Sequence, residues 1–173
     1  GIYTIPRYSY FTLNGITYTL TKDTTFSKLT DGTEQLTSLQ DENVLFQGST
    51  NQYPIYVATG TPFEVLSMIL VDNNNNNVTI DHFNIDVYVK DNTVLNPVWE
   101  KWESTESLFL ERSNSKAYEI RFNEDERYEI KFGNGVNGKK LNAGDEVVIY
   151  YLKTDGTTGE VGPGLLKIGR AHV

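Results

Sequence analysis

Apolar and polar residues alternate along much of the chain. In Ile16-Thr17-Tyr18-Thr19-Leu20 every second residue is apolar, the two-residue period of a strand with one buried face. The same period runs through residues 80–89, where Ile85, Val87 and Val89 share one face and Asp86, Tyr88 and Lys90 the other. Residues 118–122 and 128–132 repeat it, and Asn123-Glu124-Asp125-Glu126 between them has the length and polarity of a hairpin loop. Residues 147–152 form a more continuous apolar run, as expected of a better-buried strand. Ile2, Tyr3 and Ile5 also read as strand, as do residues 44–46, which are expected to end in a turn at Gly48. Strands around 65–70 and 78–80 flank five consecutive Asn, Asn73 to Asn77. That run has no apolar side chain to bury and predicts an exposed loop.

Turn chemistry is dense. Asn14-Gly15, Asp31-Gly32, Asn134-Gly135, Asn137-Gly138 and Asp155-Gly156 all favour backbone with positive φ, the signature of tight turns. Helical signal is weak. Phe26, Leu29, Leu36 and Leu39 are interrupted by Asp31-Gly32, and Ser104 with Glu106 could cap one short turn leading to Phe109. The expectation is a mainly β protein of antiparallel strands and hairpins with one or two short helical turns. Before residues 91–97 the chain is Thr-rich and sparsely charged; after them, residues 100–140 are crowded with Glu, Lys and Arg. This shift predicts two β-rich lobes, residues 1–94 and residues 95–167.

Charge narrows the function. The 173 residues carry 15 Lys+Arg against 23 Asp+Glu, a net of −8. Phosphate binding is driven by cationic side chains releasing counterions, so this balance argues against nucleic acid and against a polybasic grip on anionic lipid. No apolar run approaches the roughly 20 residues of a membrane helix. The chain has no Cys, which removes disulfides, thiolate zinc sites and thiol nucleophiles. Two features of the ends are expected to be foreign to a complete protein. The chain opens on Gly1 without a Met, and residues 168–173 (IGRAHV) match the translation of a common sequencing adapter. Setting that tail aside leaves His82 as the only histidine.

No catalytic constellation emerges. His82 stands at the start of an alternating strand, where a structural or exposed imidazole is expected, and neither G-x-S-x-G nor H-E-x-x-H occurs. Nothing groups His or Cys for a transition metal. Glu100, Glu103 and Glu106 recur every third residue beside Trp99 and Trp102, the composition of some sugar sites and equally that of a solvated face over two buried indoles. Gly133 and Gly138 have the spacing of a phosphate loop with Lys139 following, but Lys140 stands where Ser or Thr is needed and a strand, not a helix, follows. The twelve-residue calcium loop is absent; a weak surface cation stays open. Residues 42–49 look like a viral-protease cleavage tag but sit inside the β pattern. No cofactor and no small-molecule substrate are expected.

Tyr128-Glu129-Ile130-Lys131-Phe132-Gly133-Asn134-Gly135-Val136-Asn137-Gly138-Lys139-Lys140-Leu141, followed by Gly144 and a strand to Tyr151, resembles a block of the baseplate J-like family and the related inner-baseplate wedge subunits of contractile-tailed phages. There the pattern is a hairpin, then Ile-x-Phe-Gly-Asp-Gly, a Gly-Lys/Arg pair, a leucine, a glycine turn and a Val-rich strand. Upstream, Ile5-Pro6-Arg7-Tyr8-Ser9-Tyr10-Phe11 with Gly15-Ile16-Thr17-Tyr18 resembles that family's Ile-Pro-Lys opening and aromatic strand. Gly60-Thr61-Pro62 and the Trp99/Trp102 segment also fall in the family's order. Asn134 stands where Asp is usual, and residues 159–162 depart from a common Gly-Asn ending. The resemblance implies a structural motif at Phe132, Gly133, Asn134, Gly135, Gly138 and Gly144. It also implies no enzymatic activity, a place in the virion's tail baseplate after assembly in the host cytoplasm, and partnership with copies of the chain and other wedge subunits. Trp99 and Trp102 are candidate interface or sugar-contact aromatics. A carbohydrate- or receptor-binding β-sandwich of a tail fibre is the alternative, and a glycoside-acting enzyme using Glu100 or Glu103 a third.

Overall fold

The computed structural model describes residues 1–28, 36–38, 45–70, 80–125 and 127–154. Within them the protein is mainly β, as the alternation predicts. The strands are β1 Ile2–Ile5, β2 Tyr10–Leu13, β3 Ile16–Leu20, β4 Thr24–Lys28, β5 Leu36–Ser38, β6 Leu45–Val57, β7 Val65–Met68, β8 Ile80–Lys90, β9 Trp99–Ser104, β10 Ala117–Phe122, β11 Tyr128–Phe132 and β12 Glu146–Thr154, with a 3-10 turn at Leu108–Leu110. The expected turns at Asp31-Gly32 and Asp155-Gly156 and the Asn73–Asn77 loop lie outside the described residues. Among the described residues no helix is long and apolar enough to cross a membrane.

The chain divides into two compact units, residues 1–50 with 152–173, and residues 51–151. The division is not the one expected from composition near residue 94. Residues 91–98 connect β8 to β9, which pair antiparallel with Val87 opposite Trp102 and Lys90 opposite Trp99. Strand pairing holds that stretch inside one unit, whereas charge density records only which positions face water.

In the first unit β1, β4 and β5 form an antiparallel sheet with Tyr3 opposite Phe26 and Phe26 opposite Ser38. β2 and β3 form a hairpin through Asn14-Gly15, with φ of 51° and 80°. Two consecutive positive φ values give the turn whose twist suits a two-residue hairpin. Phe11 stands opposite Tyr18, their rings stacked at 5.5 Å. β3 pairs in turn with the start of β6, and the buried Thr19 hydroxyl donates to the Gly48 carbonyl across 2.7 Å. Gly48 does not end that strand: β6 runs through it for 13 residues.

The second unit holds the sheet order β6-β12-β8-β9-β10-β11-β7. β6 and β7 lie at opposite ends of that order yet are joined by only residues 58–64, so the seven strands curl into a nearly closed sheet. β10 and β11 form the expected hairpin, with Tyr118 opposite Phe132 and Phe122 opposite Tyr128. Alternation sends Tyr128, Ile130 and Phe132 inward, where they meet Leu66, Met68, Val87, Val89, Trp102, Leu141, Val147 and Ile149. The Trp102 ring packs edge-on against Phe132 with centroids 5.7 Å apart. Each such fully buried side chain contributes about 1.5–3 kcal/mol over leaving it in water.

Candidate functional site

The short connection that closes the curled sheet is organised by a residue the sequence reading passed over. Glu64 is buried, and its carboxylate accepts five hydrogen bonds. Oε1 receives the Tyr56 hydroxyl at 2.6 Å, the Thr59 amide at 2.6 Å and the Thr59 hydroxyl at 3.0 Å. Oε2 receives the amides of Gly60 at 2.9 Å and Thr61 at 3.2 Å. Gly60 is required here: its φ is +81°, and a Cβ would lie 2.7 Å from the Ala143 amide nitrogen. Burial pushes the Glu64 carboxyl upward, but the amide and hydroxyl donors outweigh it and hold the group below its usual value. The same arrangement raises Tyr56 to about 12, through burial first and then the adjoining carboxylate. A period-two signal could have found Glu64, because Glu64, Leu66 and Met68 share one face of the chain.

Phe63, just before this carboxylate, has φ of +52°, a conformation rarely held by a bulky side chain and costing of order 1–3 kcal/mol. Its amide donates to the Gly133 carbonyl at 3.2 Å. Its ring lies 5.9 Å from that of Phe109, and the Lys131 ammonium stands 4.6 Å from the Phe63 centroid and 5.9 Å from that of Phe109. Phe109 belongs to the 3-10 turn. The cap of that turn is Ser107, whose hydroxyl accepts the Phe109 amide at 3.3 Å; the expected cap, Ser104, is instead held in β9 opposite Tyr118. The negative charge at the turn comes from the buried Glu119, accepting the Leu108 amide at 2.7 Å, rather than from Glu106. Burial raises the Glu119 carboxyl, while the Leu108 amide and Arg121 lower it further, leaving it below its usual range. Leu108 is completely buried and anchors the turn, whereas Phe109 and Leu110 are 67% and 79% exposed.

The glycine block lies beside that turn. After β11, Gly133 and Gly138 come into direct backbone contact: a Cβ on Gly133 would lie 2.2 Å from the Gly138 carbonyl. The Asn134 side chain accepts the amides of Val136 at 2.9 Å and Asn137 at 2.7 Å, so Asn serves this turn as Asp would. Gly135 donates to the Gly138 carbonyl, Gly138 to Arg112 and Lys139 to Ser115. The amides a phosphate would need are therefore committed to the chain itself, which removes the nucleotide-loop reading on geometry. Val136, at the tip, is 70% exposed. Asn137 donates to the Phe109 carbonyl at 3.5 Å, which sets the Val136 tip against the exposed 3-10 turn. Gly144, with φ +89°, lies outside this cluster and donates to the Ala58 carbonyl at 2.9 Å. Nearby, the buried Asp145 carboxylate accepts the amides of Asn92 and Asn142, and Lys139 pairs with Asp91 at 3.1 Å.

The two tryptophans part company. Trp102 is 2% exposed in the core, and Trp99 is 41% exposed with the Lys90 ammonium 5.0 Å over its ring. Glu100 and Glu103 are three residues apart in one strand and so face opposite sides; Glu100 pairs with Lys116 at 2.7 Å. His82 falls in β8, but its side chain lies outside the described residues. Among the described residues no three His, Cys, Asp or Glu are grouped to hold a metal ion. The arrangement offers no converging acid and base. It offers an internally hydrogen-bonded loop end on which Phe109, Leu110 and Val136 are exposed, with Phe63 half-buried beside Phe109. Comparison with family models, curated proteins and solved structures returns no match.

Proposed function

We propose that the chain is a structural subunit of the inner baseplate of a contractile phage tail or a related injection machine, acting by protein–protein assembly in the virion after assembly in the host cytoplasm. Other wedge subunits and copies of itself are its partners. The observation that carries this reading is the Gly133–Gly138 loop end. The block that resembles the wedge and J-like families builds a scaffold with its polar groups committed internally. On that scaffold stand exposed apolar side chains, Phe109, Leu110 and Val136. Backbone strain at Phe63 goes into placing an aromatic ring at the same spot. Exposed aromatics and aliphatics on a preorganised frame suit a surface that another protein covers.

The receptor-binding alternative rests on the Trp99/Trp102 pair beside carboxylates and on the aromatic richness of the chain, and Trp102 is core. Co-expression with the products of adjacent genes tests the proposal. Tail-sheath, tail-tube or baseplate genes beside this one, and co-purification with a baseplate product, are the expected results. Neighbours of an unrelated class, with no capture by any tail protein, would overturn it.

A further inference from the structure

Three Asn-Gly pairs stand in turns of the described residues, and the fold treats them differently. In Asn134-Gly135 the Asn134 side-chain oxygen accepts the Val136 and Asn137 amides at 2.9 and 2.7 Å, and the Gly135 amide donates to the Gly138 carbonyl at 3.0 Å. In Asn137-Gly138 the glycine is buried and its amide donates to the Arg112 carbonyl at 3.1 Å, while Asn137 Nδ2 donates to the Phe109 carbonyl at 3.5 Å. Asn14-Gly15 has none of these ties. Both residues are exposed, and among the described residues neither the Gly15 amide nor the Asn14 side chain has a hydrogen-bond partner. A Cβ built on Gly15 would meet nothing within 4 Å. The pair is the tip of the β2–β3 hairpin, and β2 stands first in its sheet order, with a neighbouring strand on one side only. Opening such a tip disturbs few contacts.

An Asn followed by Gly carries an electrophile, the side-chain amide carbon, beside a backbone nitrogen that no Cβ shields. We infer that Asn14 is a site of spontaneous covalent modification, the one of the three pairs that the folded chain leaves open to it. The Gly15 nitrogen gives up its proton to solvent and attacks Asn14 Cγ. The new N–Cγ bond closes a five-membered succinimide as the Cγ–Nδ2 bond breaks and Nδ2 leaves, protonated, as ammonia. Water then adds to one of the two ring carbonyls. Attack at Cγ restores the original backbone and leaves aspartate; attack at the main-chain carbonyl leaves isoaspartate, with the backbone running through Cγ. One water is consumed and one ammonia released, with no oxidant or reductant. At Asn134 and Asn137 the attacking amide must first break the hydrogen bond that holds it. Isoaspartate adds a backbone carbon to the two-residue loop that sets Leu13 opposite Ile16, and either product adds one negative charge to the net of −8. This chemistry is independent of the assembly reading.

The test compares the folded full chain with the same chain in guanidinium chloride, both held at mildly alkaline pH, then digested with trypsin and read by fragmentation mass spectrometry. Asn14 lies in the peptide of residues 8–22, and Asn134 and Asn137 in that of residues 132–139. In the folded chain Asn14 is expected to convert at least about ten-fold faster than either other site, a barrier difference of about 1.4 kcal/mol. Unfolding should remove that difference, because all three sites then present the same dipeptide. A protein-isoaspartyl methyltransferase should label the peptide of residues 8–22, and isoelectric focusing of the aged chain should show a more acidic band. Asn14→Gln should lose both signals, with melting confirming that the variant folds; the folded-against-unfolded comparison itself needs no variant. Equal conversion of the three sites in the folded chain, or faster conversion at Asn134 or Asn137, overturns the assignment. So does an Asn14 that reacts in denaturant but stays intact in the folded chain.

Discussion

The Tyr56 hydroxyl donates to the Glu64 carboxylate across 2.6 Å, joining the end of the first strand of the curled sheet to the residue that leads into its last. Three backbone amides and one further hydroxyl converge on the same carboxylate. Tyr56→Phe removes one donor and leaves four, so it is expected to cost about 0.5–1.5 kcal/mol. Glu64→Gln replaces an acceptor oxygen with a donor that faces donors, and about 2–3 kcal/mol is expected. Urea unfolding of the three proteins checks the order. Equal midpoints would show that the clasp does not hold the closing connection.

Stability should fall in acid, and the sign follows from the same carboxylates. Glu64 and Glu119 titrate below their usual value in the folded chain. They contribute stability that is present above the unfolded carboxyl pKa of about 4.3 and is lost as pH falls through their lowered folded values. Tyr56 acts at the other extreme. Raised to about 12, it contributes stability that is lost as pH climbs from the ordinary tyrosine value toward that figure. Thermal melts from neutral pH downward should show a steep loss below about pH 4 that is shallower in Glu64→Gln. An identical acid limb in the variant would mean that other groups carry the pH dependence.

Strand patterning was legible because its cause is local. The faces of β8, β10 and β11 and the positive φ at Gly15, Gly135 and Gly138 follow from side-chain period and from Gly's lack of a Cβ. What was not legible depends on which strands pair. Residues 91–97 look like a boundary by composition, yet β8 and β9 pair across them. Glu119 caps a turn eleven residues earlier because parallel pairing of β9 and β10 brings that turn alongside β10. Ser104 has the right type for that cap but is already committed to β9. Lys131 reads as a solvent-facing strand residue, and only the fold places its ammonium between Phe63 and Phe109.

The glycines of the motif should not respond alike. Ala at Gly133 would drive a Cβ to 2.2 Å from backbone that cannot rotate away, and a loss above about 3 kcal/mol is expected. Gly138 combines φ +76° with a Cβ position 2.8 Å from a Leu108 methyl, a contact that the side chain can partly relieve. Gly135 has φ +89°, and a Cβ there would meet only Lys140 Cβ at an ordinary 3.8 Å, so Ala there meets only the backbone penalty of about 1–2 kcal/mol. Melting of the three Ala variants should rank Gly133 worst and Gly135 mildest. A Gly135→Ala protein as unstable as Gly133→Ala would show that the loop does not close on itself as described.

The tryptophans give a spectroscopic separation within one short strand. Trp102 packs edge-on to Phe132 out of water, while Trp99 stands on the opposite face under Lys90. Trp102→Ala should leave a large cavity and cost about 3–5 kcal/mol. Trp99→Ala removes a partly exposed ring and a cation–π contact, and should cost no more than about 1 kcal/mol. In Trp99→Phe the remaining emission should be blue-shifted and resistant to acrylamide. In Trp102→Phe it should be red-shifted and readily quenched. If the protein also binds a sugar, only the Trp99 signal can report it, because a ligand cannot reach a ring that is 2% exposed. Sugar-dependent quenching that survives in Trp99→Phe would therefore place Trp102 at the surface and undo the core assignment on which the sheet packing rests.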